Sequence, residues 1–295
     1  MNYPLVSILI ANYNNARYIV EALESAVGQT YPNIEIVMAD DGSTDDSVRI
    51  VEGFIKTHPE TRIVFFKNSD NQGCGRVKRQ CIEKSEGEYF CFLDPDDTIS
   101  AEAVATLMEA FGNHPEGSIV YGTHYLCNEA LESQGVSNYP GLIPEGQSHL
   151  TSTGGHISAL AICSRQIYDG TSGINASYLV AEDQDLYLKM EECAPVFYVG
   201  KPLYFYRKHD HNSSWNEHIQ AKNIYYRHRA RAAAYRRRKR STVPNLTMIQ
   251  FHKECLACHL QLRHHYHGQG QYLKALWQIV LAFPYLYTWF ADAKK

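Results

Sequence analysis

The 295 residues, 44% hydrophobic and 20% charged, give room for one large α/β domain with an appendage. Eight scattered cysteines, several inside apolar runs, read as buried thiols of a reducing compartment, and no basic region precedes the first apolar run, so no signal peptide is expected. The net charge of -4 conceals a division, for residues 1–200 carry -17 and residues 201–295 carry +13.

In chain order, Leu5 to Ala11 is a nearly continuous apolar run ending in Asn12-Tyr13-Asn14-Asn15, which predicts a buried strand with a polar, aromatic exit. Arg17 to Val27 places Ile19, Leu23 and Ala26 at helical spacing. Ile34 to Ala39 forms a second strand, broken by Asp40-Asp41-Gly42-Ser43-Thr44-Asp45, where Ser43 or Thr44 can cap a helix from about Asp45 to Lys56. Tyr89 to Leu93 reads as a third buried strand whose carboxyl edge carries Asp94, Asp96 and Asp97. Strand, helix, strand, helix, strand predicts a mostly parallel sheet with right-handed crossovers, and such sheets bind ligands at the carboxyl edge. The D-x-D spacing of Asp94 and Asp96 suits a hard cation, Mn²⁺ or Mg²⁺. Further on, Thr151-Ser152-Thr153-Gly154-Gly155-His156 is a small-residue loop ahead of an apolar strand, Ile157 to Ile162. Its adjacent glycines permit close backbone approach to a sugar, or make a turn. Glu182-Asp183 stands just ahead of a helix running through Tyr187, Leu188 and Met190.

With Val6 to Asn14, Ala39 to Asp45, Asn71-Gln72-Gly73, Leu93 to Asp97, Glu182-Asp183 and the run Tyr206 to Ser214 in this order, the chain resembles the family 2 glycosyltransferases. The resemblance covers about the first 215 residues and implies the GT-A fold of nucleotide-diphospho-sugar transferases. It implies a domain of residues 1–220, divided into a nucleotide-binding half (1–98) and an acceptor half (99–220); residues 221–295 match no recognisable pattern and read as a basic, aromatic helical extension. The implied reaction is metal-dependent, inverting transfer of a hexosyl or N-acetylhexosaminyl group, as in polysaccharide biosynthesis. The sugar passes from a nucleotide-diphosphate sugar, UDP-linked by family habit, to a hydroxyl of a glycan or lipid-linked acceptor.

Carried over residue by residue, Ala11, Tyr13, Asp40, Asp41 and Asp94 bind the nucleotide, with Tyr13 packing on the base and Asp40 or Asp41 taking its ring-edge N–H. Asp96, in preference to Asp97, holds the metal, completed by His209 with His211 as its competitor. The ion neutralises the leaving diphosphate, and imidazole fits Mn²⁺ better than Mg²⁺. Pro95 is a mild departure that stiffens the loop. Asp183 is the base, held ionised by the helix dipole, with Glu182 and Asp185 less favoured. His156 and Glu182 are acceptor-side contacts, while Arg207 and Lys208 pair with phosphate oxygens.

The basic tail interleaves Arg227, Arg229, Arg231 and Arg236 to Arg240 with Tyr225, Tyr226 and Tyr235, then ends in the apolar stretch from Ala275 to Phe290. That stretch falls short of a secure membrane span of about 20 residues. Peripheral helices on the cytoplasmic membrane face are expected, where a lipid-linked acceptor is presented; the competing expectation is packing on the catalytic domain or in an oligomer. No nucleic-acid module accompanies the basic block, so nucleic acid is not an expected partner. Cys255-Leu256-Ala257-Cys258-His259 spells a c-type haem signature and lies among histidines, but no export signal and no second ligand pair accompany it. Met248, Phe251, Cys255, Cys258 and Leu262 read instead as one helical stripe. Two other classes fit less well: a catalytically silent sugar- or nucleotide-binding scaffold, disfavoured by the complete acidic set, and a nucleotidyltransferase, which would need a glycine- and lysine-rich loop where this chain has Asn12 to Asn15.

Overall fold

The first strand already dictates helices on both faces of the sheet. Ile8 and Ile10 turn to one side and Leu9 to the other, and all are buried, so each side needs its own cover. A computed structural model describes residues 3–210 and 217–292. Strands β1 (Val6–Asn12), β2 (Ile34–Asp40), β3 (Ile63–Lys67) and β4 (Tyr89–Phe92) pair in parallel in the order β3-β2-β1-β4. Helices α1 (Ile19–Val27) and α2 (Ser47–Thr57) cover one face, joined by α4 (Ala103–Asn113). The other face carries α3 (Cys74–Lys84), α5 (Arg165–Asp169) and α6 (Glu182–Glu191).

Past β4 the sheet becomes mixed. β5 (Thr98–Ile99), β6 (Ile119–Cys127), β7 (Ser133–Val136), β8 (Ala161–Ser164) and β9 (Val196–Arg207) extend it as β4-β8-β6-β9-β5, with β7 beside β6. β8 is antiparallel to both neighbours, whereas β6 and β9 are parallel. The mostly parallel expectation therefore holds for the first four strands, and the later pairings come from residues far apart in the chain.

Several local expectations are corrected. β3 and α3 are not among the expected elements, although Ile63 to Phe66 is a short apolar run and Val77, Cys81 and Ile82 share one face of α3; β3 lies at the sheet edge with only partial burial, and α3 is mostly polar. α1 begins at Ile19 and β8 at Ala161, both later than the apolar pattern starts. α2 begins at Ser47, and neither Ser43 nor Thr44 caps it: Ser43 Oγ accepts from the Asn14 N–H at 2.8 Å, and Asp45 Oδ1 takes the Ser47 N–H at 2.9 Å. Gly155 approaches protein, not sugar, since a Cβ there would overlap the backbone of Gly141. In the tail helix α8 (Met248–Gly268), Cys255, Cys258 and Leu262 are buried as expected, but Met248 is 59% exposed because the helix start overhangs its neighbours.

The tail docks on α6 and on the segments before β8 and after α5. Helix α7 (Glu217–Arg237) presents Ala230, Ala234 and Tyr235 to Leu150, Tyr178 and Leu188, and α9 (Tyr272–Asp292) packs along α8. Much of the tail's positive charge is answered internally. Arg231 forms a forked pair with Glu254, Arg237 pairs with Glu192, and the fully buried Arg238 binds Glu191, Glu192, Ser148 Oγ and the Leu188 carbonyl. A buried charge that loses its partners is costly. Arg238→Met should therefore lower the unfolding free energy by about 3 kcal/mol, seen as a reduced urea midpoint, and Glu191→Leu added to it should recover part of the loss.

Candidate active site

The registers of β1, β2 and β4 bring three polar strand ends to one edge. Asn12 lies opposite Asp40, and its Nδ2 donates to Asp40 Oδ2 at 2.8 Å, while Asp40 Oδ1 receives the Ser43 N–H at 2.9 Å. Gly42 makes this turn at φ +74°, against the backbone of Asp70. Asp41 is fully engaged, accepting from Asn68 Nδ2 and from the Gln72 and Gly73 N–H groups at 2.8–3.0 Å. A carboxylate offers about four lone-pair positions, so Asp40 retains acceptor capacity that Asp41 has spent on the loop to Asn71-Gln72-Gly73. Tyr13, just beyond β1 and next to Ala11-Asn12, is 44% exposed, with its ring free to present a face.

The centre of the edge is a cation that sequence reasoning missed. Lys78, on the buried face of α3 and only 7% exposed, places Nζ 2.8 Å from Glu182 Oε1 and 3.4 Å from Asp94 Oδ1. Burial opposes its charge, but Asp94, Cys74 and Glu182 outweigh burial and hold the ammonium protonated. The readable signal was a lysine between Val77, Cys81 and Ile82 on an otherwise apolar stripe. Glu182 and Asp183 open α6 from Ala181, which adopts left-handed backbone at φ 59°. Burial raises Glu182, yet Lys78 more than offsets it and keeps that carboxyl below its usual range. Asp183 behaves differently from the dipole expectation: burial and then the charge of Glu182 push it up to about 6. Asp94 is also raised, by burial first, with Lys78 acting against the shift.

Beyond Asp94 the three aspartates part company. Asp96 Oδ2 faces His209 Nε2 at 2.9 Å, and the imidazole rests against Tyr18 with ring centroids 4.8 Å apart. Asp97 instead turns inward, accepting from Tyr204 Oη at 2.6 Å and the Arg207 N–H at 2.7 Å; burial, then Asp96 and Asp94, push its carboxyl well up. Arg207, expected at phosphate, is buried as a brace. Its Nε donates to the Asp96 carbonyl at 2.7 Å, its NH1 to the Glu129 carbonyl at 2.6 Å and its NH2 to Glu21 Oε2 at 2.5 Å, because it ends β9 beneath the acidic loop. The exposed Lys208 follows it; His211 and the rest of the run to Ser214 lie outside the described residues.

His156 lies apart from these groups, between Tyr139 and His149 at ring-centroid distances of 4.9 and 5.5 Å. His149 Nδ1 accepts the Ile157 N–H at 3.1 Å, which leaves Nε2–H to donate to Gln184 Oε1 at 3.0 Å. Burial depresses its pKa to about 3, so the ring is neutral. These residues border a cavity of about 310 Å³ against α7, beginning one residue past Asp183.

A curled, mixed sheet with helices on both faces and an acidic carboxyl edge is the GT-A architecture of the nucleotide-diphospho-sugar transferases. Residues 7–169 match the profile of glycosyl transferase family 2, and the chain belongs to that family. It is 32% identical over 217 residues to the chondroitin synthase of Escherichia coli, covering 72% of this chain and 30% of that protein. It is 28% identical over 223 residues to the hyaluronan synthase of Pasteurella multocida, covering 75% of this chain and 22% of the synthase. The chain thus spans less than a third of either relative's length. Among solved structures, S. aureus TarS 1–349 in complex with UDP superimposes with a TM-score of 0.62 at 20% identity, over 88% of this chain and 71% of that one. The mannosyltransferase PcManGT of Pyrobaculum calidifontis, in complex with GDP-Man and Mn²⁺, gives 0.63 at 14% identity, over 99% and 80%.

The charges around Asp183 set a pH dependence. With Asp183 as the expected base, which must be ionised to accept a proton, transfer should fall as pH drops through about 6. Lys78 lowers the pKa of Asp183, hence Lys78→Met should move this acid limb upward, as read from kcat/KM against pH.

Proposed function

We propose that the protein transfers a hexosyl or N-acetylhexosaminyl group from a nucleotide-diphosphate sugar, UDP-linked, to an acceptor hydroxyl with inversion at the anomeric carbon. The observation that carries this reading is the Lys78 bridge, which draws the donor-side Asp94 and the acceptor-side Glu182-Asp183 pair to one point on the sheet edge. In this reading Tyr13 stacks on the base and Asp40 accepts its ring-edge N–H, while Ala11 and Asp94 line the nucleotide. Asp183 takes the proton from the acceptor hydroxyl as its oxygen attacks from the face opposite the departing diphosphate. A pKa of about 6 leaves that carboxylate mostly ionised at neutral pH and more basic than an ordinary aspartate. Lys78 keeps Glu182 ionised beside it and fixes the first turn of α6.

The residues present fit a divalent metal, because an aspartate oxygen and an imidazole nitrogen face one another at 2.9 Å on the acidic edge. Among the described residues no cluster of three His, Cys, Asp or Glu forms, and donor phosphate oxygens and water would have to complete the coordination begun by Asp96 and His209. This mixed donor set favours Mn²⁺ over Mg²⁺. When bound, such an ion supplies charge neutralisation for the leaving diphosphate. S. aureus TarS 1–349 in complex with UDP-GlcNAc, and PcManGT in complex with GDP-Man and Mn²⁺, agree with this reading.

The acceptor is proposed to be a glycan or lipid-linked glycan, met at the cytoplasmic membrane face. Among the described residues no helix is long and apolar enough to cross a membrane. The support is α9, where Leu273, Leu276, Trp277 and Val280 recur at helical spacing and stay exposed, Leu273 at 85%. With Arg231, Arg237 and Arg238 already paired, this apolar face supplies the main attraction. All eight cysteines are unpaired, in keeping with a reducing compartment.

Two measurements test these statements. Nucleotide release from a panel of UDP-, GDP- and dTDP-sugars with Mn²⁺ should single out one donor; Asp96→Asn should abolish the metal response, and Asp183→Asn should cut acceptor-dependent turnover by about 10²–10⁴-fold. Turnover that survives Asp183→Asn unchanged would remove Asp183 as the base. In flotation assays the chain should travel with anionic phospholipid vesicles, and Leu273→Glu with Trp277→Glu should release it while solution turnover persists.

A further inference from the structure

Resting on the transferase reading, we infer that the cavity between the acceptor half and α7 is a subsite for an anionic group on the acceptor, held by Arg227 beside the proposed base. The cavity begins at Gln184, the neighbour of Asp183 in the first turn of α6, and is closed by Tyr139, His149, His156, Arg227 and Arg231. Asp183 does not line it, but its charge acts on the Tyr139 phenol, so the cavity neighbours the proposed base, and neither Tyr13 nor Asp40 borders it. A volume of about 310 Å³ leaves room for a single sugar unit or a phosphate with its polyol, not for a nucleotide sugar.

The sign of the preferred ligand follows from the charges that face this space. His149 is neutral, its ring nitrogens both engaged. His156 is pushed toward neutrality by burial and then by Arg231 and Arg227. Arg231 is answered by its forked pair with Glu254 at 2.5 and 2.9 Å and by the Leu150 carbonyl. Glu191, on the same side, is taken by Arg238. Arg227 hydrogen-bonds the Tyr139 hydroxyl, and among the described residues it has no carboxylate partner. That guanidinium, with the phenol of Tyr139 beside it, is a fork for a carboxylate or phosphate. The shared chemistry is an anion on the acceptor, either the carboxylate of an acidic sugar or the phosphate of a polyol phosphate chain.

The experiment is calorimetric titration of the full chain, pre-saturated with UDP and Mn²⁺ so that the donor phosphate site is filled, with D-glucuronate, sn-glycerol 3-phosphate and D-glucose in turn. The UDP step is recorded first; its failure would count against the transferase reading, separately from the anion steps. We expect saturable binding of at least one anion, none of glucose, at least a tenfold weaker affinity in Arg227→Gln, and recovery of much of it in Arg227→Lys. Glucuronate alone would name an acidic sugar as the acceptor unit, and glycerol phosphate alone a phosphate-bearing one. Absence of saturable binding by both anions, or binding unchanged in Arg227→Gln, would overturn the inference. Arg227 is exposed on α7, so its replacement leaves the core packing in place.

Discussion

The buried ammonium of Lys78 is the constraint on which the site depends. It joins α3, the strand end after β4 and the first turn of α6, three pieces of chain separated by up to 104 residues. Without a cation there, Asp94, Glu182 and Asp183 would crowd like charges into a space of low polarity, and they would relieve the strain by taking up protons or moving apart. With it, Glu182 stays ionised and Asp183 is raised only to about 6. The same contact therefore sets geometry and basicity.

Two buried arginines do comparable work at the margins. Arg207 ties the acidic loop to α1 and to the turn after β6, and by gripping the Asp96 carbonyl it fixes the backbone that carries the Asp96 carboxylate toward His209. Arg238 ties the tail to α6, the helix that begins with Glu182 and Asp183. Guanidinium suits both tasks because its planar fork can satisfy several acceptors at once without leaving buried donors unpaired. The tail is thereby fastened to α6, not a loose basic appendage, and α6 and α7 both line the cavity at its root.

Legibility followed the range of the interactions. The strands from Leu5, Ile34 and Tyr89 could be read because a run of apolar residues ended by Asn or Asp describes a buried strand and its exit within ten residues. The edge strand β3 and the mostly polar helix α3 carried shorter signals, the run Ile63 to Phe66 and the stripe Val77, Cys81 and Ile82. Asp96 is favoured over Asp97 for the metal in the sequence without any local contact to separate them; Tyr204 and the Arg207 backbone, over 100 residues later, turn Asp97 inward and leave Asp96 facing His209. Arg207 read as a phosphate ligand because its charge was visible and its burial was not.

The amino-acid sequence by itself determined the class of fold, the carboxyl edge that carries the chemistry and the order of its acidic groups, since apolar period and turn chemistry are local properties of the chain. Only the tertiary structure decided which charges meet. Lys78 finds Glu182 and Asp94, Arg238 finds Glu191 and Glu192, and Arg227 is left without an acidic partner among the described residues. Those outcomes depend on distances across the folded molecule and on which groups are removed from water, and Coulomb interactions become decisive only after burial has weakened their screening.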